Sequence, residues 1–326
     1  MQLQRYVNNA SVPLSLAVFL ATDNYDYDSE SISATSLLKP IRQIILAGRV
    51  PATDSIVDIM TLVQSRMGSA IHDGIERAWT DNHAKALQLL GYPQRVIDRV
   101  KVNPERGSLQ PNDIPVYLEQ RVKKKFGGYT ISGKFDFVGE GRVEDFKSTS
   151  VNTWINHNND EKYILQGSIY RWLNPDIVTQ DTMAIQFIFT DWAAMRARTE
   201  KNYPPNRTMQ RIYHLKSIPE TEAFVRAKLA LIERYKDAPE ADLPLCSDED
   251  LWRKDPVWKY YKNPDNRNRS TKNFDNRQDA YVRMAQDGNV GVVIEVPGQA
   301  VACKYCPAFP VCSQKDALIA AGDLQL

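Results

Sequence analysis

The apolar positions change period along the chain. Over residues 33–47, SATSLLKPIRQIILA, they follow a helical spacing behind a serine that can cap it. Over residues 54–80, Ile56, Ile59, Met60, Val63, Met67, Ile71 and Ile75 recur every three to four positions and predict a second amphipathic helix. The run at residues 12–21, VPLSLAVFLA, is too short to cross a bilayer and reads as a buried helix. Segments 84–90 and 112–125 read as helical or connecting, the latter ending in Lys123, Lys124 and Lys125. From residue 129 to 150, YTISGKFDFVGEGRVEDFKSTS, the pattern alternates and is rich in β-formers; Gly139, Glu140 and Gly141 supply the turn of a β-hairpin. A helix follows at 160–173, stopped by Asn174 and Pro175, then buried strands at 183–190 and 210–215. Ser217, Ile218, Pro219 and Glu220 open a further helix, and 290–296 is a late strand. Helices, hairpin, helix, two strands and a helix make an α/β fold: a central mixed sheet flanked by helices, with a C-terminal appendage.

Composition narrows the function. The 326 residues are 43% hydrophobic and 25% charged, which excludes collagen-like, largely disordered and disulfide-scaffold proteins. The net charge of +1 provides no global field for nucleic acid, so such a partner has to be held by a local patch. Residues 252–283 are such a patch, with nine Lys or Arg against four Asp. Aromatic rings interleave with these cations. Cations that track phosphates beside rings that stack on unpaired bases suit single-stranded DNA. The candidate contacts are Lys259, Lys262, Arg267, Arg269, Lys272, Trp258 and Tyr261; a solvated basic surface is the plainer alternative. Four cysteines do not suggest a secreted, stapled protein, and no signal-like or membrane-spanning stretch is seen, so the expected compartment is a reducing cytoplasm.

The candidate chemistry starts in the hairpin. Asp145 and Lys147 are two residues apart and share a strand face, and Asp136 lies across the turn. Two carboxylates and the main-chain carbonyl of Phe146 would suit Mg²⁺ or Mn²⁺, with Lys147 beside the reacting water. Alone, this pattern equally describes solvated charges on an amphipathic hairpin. His72 follows Gly68 at four residues on the second helix, and Gln166 and Tyr170 are four apart on the helix after the hairpin. Cys303, Cys306 and Cys312 cluster near the end, with Cys246 standing 57 positions before Cys303. By ligand type four thiolates suit zinc or an iron–sulfur cluster equally, although the paired CxxC motifs of a zinc ribbon are not seen.

Taken in chain order, these segments resemble the PD-(D/E)XK nuclease superfamily in its RecB-like branch. They are the helix Arg66-Met67-Gly68-Ser69-Ala70-Ile71-His72, the strands Gly133-Lys134-Phe135-Asp136 and Val143-Glu144-Asp145-Phe146-Lys147, the Gln166-x-x-x-Tyr170 helix, and the cysteine segment. The branch includes CRISPR-associated RecB-like exonucleases with an iron–sulfur cluster. The resemblance spans roughly residues 33–312 and implies a restriction-endonuclease-like core. It implies a metal-dependent DNA nuclease, of single-strand-preferring exonuclease type, with one or two Mg²⁺ or Mn²⁺ ions held by His72, Asp136, Asp145 and the Phe146 carbonyl. Asp136, Asp145, Lys147, Gln166 and Tyr170 would be the catalytic set. Cys246, Cys303, Cys306 and Cys312 would hold a 4Fe-4S cluster, with Zn²⁺ as the alternative. There is one departure: many relatives carry a lone cysteine near the N-terminus, and the matching segment SATSLLKPIRQII has none. The expected division is a helical part at 1–125, a catalytic core at 126–240, and a DNA-contact and iron–sulfur region at 241–326, in one integrated domain. The rival reading is a non-catalytic single-stranded-DNA-binding module with a metal-stabilised fold.

Overall fold

The computed structural model describes residues 5–23, 28, 30–51, 56–105 and 107–325. The chain divides into two units, Met1–Leu38 with Ala52–Leu229, and Lys39–Pro51 with Ala230–Leu326. Among the described residues no helix is long and apolar enough to cross a membrane.

The first unit begins with β1 (Arg5–Val7), α1 (Leu14–Ala21), β2 (Ile32–Ser33) and α2 (Ala34–Leu37). Helix α3 (Ile41–Ala47) belongs to the second unit. The first unit resumes with β3 (Ile56–Asp58), α4 (Val63–Leu89), α5 (Gln94–Ile97), β4 (Val100–Val102), β5 (Ile114–Phe126), β6 (Tyr129–Gly139) and β7 (Arg142–Thr149). It continues with α6 (Val151–Asn156), α7 (Asp160–Leu173), β8 (Thr182–Phe189), α8 (Ala194–Thr199), β9 (Thr208–His214) and most of α9 (Ile218–Tyr235). Its main sheet is mixed and runs β4-β5-β6-β7-β8-β9, with β2 added parallel to β6. The β7–β8 pair is parallel, with α6 and α7 in the crossover, while β5–β6, β6–β7 and β8–β9 are antiparallel. The core takes the apolar residues of the central strands, among them Phe135, Val143, Ile185 and Phe187, none more than 1% exposed.

Several expectations need correction. The apolar run 12–21 does form a helix, but Leu14 is 79% exposed and Val18 58%, and only Leu20 is buried. A helix of only eight residues, seven of them apolar, can cover only one face. The helix expected from residue 54 begins at Val63: Ile56–Asp58 is a strand, Asp58 caps a 3₁₀ turn through Met60 N, and residues 54 and 55 lie outside the described set. Segment 84–90 continues α4 rather than standing apart. Segment 33–47 is two short helices, because Pro40 disfavours helical backbone at the residue before it. Segment 112–125 is neither helix nor connection but the long strand β5, paired with β6 along nearly its whole length.

The second unit has a three-stranded antiparallel sheet ordered β11-β10-β12, formed by β10 (Val257–Tyr261), β11 (Lys272–Phe274) and β12 (Val292–Val296). Helix α10 (Arg277–Gln286) packs against this sheet, and α11 (Ser313–Ala320) closes the chain. A small core of Leu251, Ala300, Leu318 and Leu324 is flanked by Cys246, Cys303 and Phe309.

Candidate metal centre and nucleic-acid face

The hairpin is zipped only near its turn. Strands β6 and β7 pair at Phe137↔Glu144, Val138↔Val143 and Gly139↔Arg142 and then part, while β7 stays paired to β8 from residue 143 to 149. Asp136 and Asp145 are the first residues beyond the last pair. Main-chain groups of β7 freed in the fork are taken up by side chains, as buried peptide groups require. Phe146 N donates to Asp136 Oδ2 at 2.9 Å, and Phe146 O lies 3.1 Å from His72 Nε2. The fork therefore brings together Asp136, Asp145, His72 and the Phe146 carbonyl.

Helix α4 delivers His72. One turn earlier, a Cβ on Gly68 would sit 3.2 Å from Ser148 Oγ, so glycine permits the close approach of this helix to β7. The other His72 nitrogen, Nδ1, lies 3.6 Å from Asp136 Oδ2 and 3.6 Å from an oxygen of Glu119. Glu119 is absent from the sequence-based set, because its segment reads there as helix or connection. It lies on β5 with φ +51°, a left-handed conformation uncommon for glutamate. Among the described residues, His72, Glu119 and Asp136 are the group of three whose ligand atoms fall within 4.8 Å of one another. Glu119 is also paired with Lys134 at 2.6 Å.

Asp145 is 1% exposed. Its Oδ1 accepts from Gln166 Nε2 at 3.0 Å, and Gln166 also donates to the Tyr170 hydroxyl at 2.9 Å. Its Oδ2 is paired with the Lys147 ammonium, Nζ lying 2.5 Å away. Gln166 and Tyr170 thus reach the carboxylate from α7, as their spacing allows. Tyr163, one turn earlier on that helix, places its ring 5.9 Å from Lys147 Nζ. Glu144, next to Asp145 in sequence, is held elsewhere, by Arg142 at 2.8 Å and Gln186 at 2.7 Å.

The electrostatics are those of a crowded anionic site. Burial and the Asp145 charge push Asp136 up to about 7. The Glu119 hydrogen bond raises His72 against the opposing effect of burial. Burial raises Glu119, but His72 and Lys134 outweigh it and hold the carboxyl below its usual range. Burial works against the Lys147 ammonium, yet Asp145 and Asp136 raise it overall. The carboxylates of Asp136, Glu119 and Asp145 beside the His72 imidazole make an oxygen-rich donor set that fits a hard divalent ion.

In the second unit the four cysteines are reduced and half-buried. Burial, the Asp250 carboxylate and the neighbouring Cys312 and Cys306 push Cys246 up to about 12. Burial and the same neighbours raise Cys303. Burial also raises Cys306, against main-chain N–H groups of Ala308 and Phe309 that donate to its sulfur. Four thiols near one another, three of them in one loop segment, are by ligand type a donor set that fits a thiolate-bound metal or cluster.

The basic segment forms the β10–β11 hairpin and α10. Lys262, Arg267, Arg269 and Lys272 are exposed; Lys259 and Trp258 are half-buried. Tyr261 is a correction: at 9% exposure its ring is part of the packing of β10 and offers no open face for a base. Lys262 and Arg269 come together on a cleft of about 610 Å³ that also takes Asn263, Asn266, Asn268 and Thr271.

No protein-family model and no curated protein matches the chain. Among solved structures it is similar to SSO0001, at 14% identity and TM-score 0.38 over 64% of this chain and 79% of that one. It is also similar to a phage-related exonuclease from Haemophilus somnus, at 13% identity and TM-score 0.29 over 64% of this chain and 93% of that one.

Proposed function

We propose that the protein is a metal-dependent deoxyribonuclease of PD-(D/E)XK type with a restriction-endonuclease-like core. The observation that supports this best is the open fork of β6 and β7, where Asp136, Asp145, His72 and the Phe146 carbonyl converge beside Lys147. These groups would hold one or two Mg²⁺ or Mn²⁺ ions, which supply Lewis-acid stabilisation of a phosphodiester and of its leaving oxygen. Asp136 and Asp145 bind and orient through carboxylate oxygens. Gln166, backed by the Tyr170 hydroxyl, holds Asp145 in one rotamer. Lys147 keeps its ammonium at Asp145, where it orients a water and offsets charge developing on the phosphate. The substrate is DNA, single-stranded in preference, and the action exonucleolytic. Lys259, Lys262, Arg267, Arg269, Lys272 and Trp258 contact the strand. Cys246, Cys303, Cys306 and Cys312 hold a 4Fe-4S cluster that staples the second unit.

The test is cleavage of end-labelled single and double strands with Mg²⁺ or Mn²⁺, by wild type, Asp145→Asn and Lys147→Ala. Cleavage by wild type, with a loss of at least about a hundredfold in each variant at unchanged thermal stability, is expected. Salt-sensitive binding of single strands with no product from any of the three proteins would favour the non-catalytic binding module instead.

A further inference from the structure

All five N–H donors of the Arg42 guanidinium have an acceptor. One terminal nitrogen donates to the carbonyls of Leu243 at 3.2 Å and Glu240 at 3.4 Å. The other donates to Ser313 Oγ at 3.1 Å and closes an ion pair on the Glu240 carboxylate. The fifth donor, Nε–H, is directed at Cys312 Sγ, 3.3 Å away. Arg42 is 2% exposed, and every one of these partners lies in the second unit.

Four of these acceptors are ordinary oxygens. The fifth is a sulfur, and a neutral thiol is among the weakest acceptors a protein offers. A buried guanidinium gains little from one. A metal-bound thiolate keeps much of its negative charge, so the same N–H···S contact becomes charge-assisted. The geometry is therefore suited to Cys312 as a ligand rather than as a thiol. The donors to the Cys306 sulfur come from its own loop, at Ala308 and Phe309. The donor to Cys312 comes from α3, 270 positions away in sequence. Arg42 is thus the group through which a distant helix acts on one ligand.

We infer that Arg42 is a positioning residue of the cysteine-bound centre: its Nε–H fixes the Cys312 sulfur for ligation and, by drawing charge from it, raises the reduction potential of the cluster. Hydrogen bonds to ligand sulfurs act in this direction because they favour the more negative, reduced state. The inference rests on the cluster proposed above.

The full-length wild type and Arg42→Lys are purified anaerobically and compared for iron and sulfide content, charge-transfer absorption and reduction potential. Lysine keeps a buried cation for Glu240 and Ser313 but has no Nε–H for the sulfur. Equal iron content with a lower potential in the variant is the expected result. An equal or higher potential overturns the inference and leaves the cluster standing. A wild type without iron overturns the cluster reading and this inference together, and the iron analysis identifies that case. If Arg42→Lys does not fold or load, wild type grown on arginine labelled with ¹⁵N at Nε is reduced and read by pulsed electron paramagnetic resonance. A ¹⁵N coupling to the cluster is then expected, and its absence overturns the inference.

Discussion

Glu119 and Asp136 stand opposite each other across β5 and β6. Leu118↔Phe137 and Gln120↔Phe135 pair on either side of them, yet these two residues do not pair. Instead Glu119 turns to φ +51° and both carboxylates come within 3.6 Å of His72 Nδ1. Like charges directly across a ladder are destabilising, and a left-handed glutamate adds strain of order 1–3 kcal/mol. Lys134 offsets part of this, at 2.6 Å from Glu119. A divalent ion beside His72 would offset the rest. Glu119→Gln should therefore weaken Mn²⁺ binding about tenfold or more, in the range seen for groups that support metal ligands, without unfolding the metal-free chain. Isothermal titration with Mn²⁺ measures this, and an unchanged affinity would remove Glu119 from the site.

The same crowding sets a pH dependence. Asp136 is pushed up to about 7 in the folded, metal-free chain, against an ordinary value of about 3.9 when unfolded. Between these values the folded state binds a proton that the unfolded state has released. The stabilising contribution is full below about pH 4 and is lost as pH rises through about 7. His72, raised by Glu119, acts in the same direction. Between about pH 5 and pH 7.5 the melting temperature of the metal-free protein should fall relative to that of Asp136→Asn, and Mn²⁺ should reverse the trend. Since the proton and the ion compete, Mn²⁺ affinity should drop about tenfold per pH unit below 7. Parallel melting curves for the two proteins across this range would show that Asp136 is not the titrating group.

The hairpin turn offers a test of stability separate from chemistry. Glu140 and Gly141 both have positive φ, +50° and +81°, the pattern of a two-residue type I′ turn. Glu140 is exposed, and glutamate is a poor residue for that conformation. Glu140→Asn should raise stability by about 0.5–1 kcal/mol, or roughly 1–3 °C in melting temperature for a chain of this size. Gly141→Ala should lower it by about 1–3 kcal/mol, because the new Cβ would fall 2.1 Å from Thr179 Oγ1 in a conformation alanine disfavours. Differential scanning calorimetry reads both changes, and a stabilised Gly141→Ala would contradict the turn geometry.

What was legible in the sequence was local. The alternation at 129–150 and its Gly-Glu-Gly turn gave β6, β7 and the shared face of Asp145 and Lys147, and the four-residue spacing of Gln166 and Tyr170 gave their joint approach from α7. What escaped depends on pairing between distant segments. Strand β5 hides behind a polar, lysine-rich stretch whose pattern is half-buried almost throughout, so its partner β6 defines it more than its own composition does. Glu119 escaped with it. The opening of the β6–β7 fork is likewise invisible to a period-two pattern, since the residues continue to alternate after the hydrogen bonds stop. Tyr261 failed for the opposite reason: alternation of rings and cations does not say which ring a three-stranded sheet will bury. Arg42, read only as part of a helix, acquires its role from residues some 200 to 270 positions away.

The proposed nucleic-acid face would separate charge from stacking. Lys262 and Arg269 are exposed and share one cleft with asparagine side chains, whereas Trp258 is half-buried in β10 beside Phe274. If the cations track phosphates, each releases counterions on binding and contributes to the salt dependence; a stacking ring does not. Removing Lys262 and Arg269 together by alanine substitution should weaken single-strand binding and flatten the slope of log affinity against log salt by about 0.7 per cation. Trp258→Ala should cost about 1–3 kcal/mol of affinity and leave the slope unchanged. Fluorescence anisotropy with a labelled oligonucleotide, in a series of salt concentrations without divalent metal, measures both quantities. A slope unaltered by the double substitution would mean that the strand is bound elsewhere on the protein and that this cleft is a solvated basic surface.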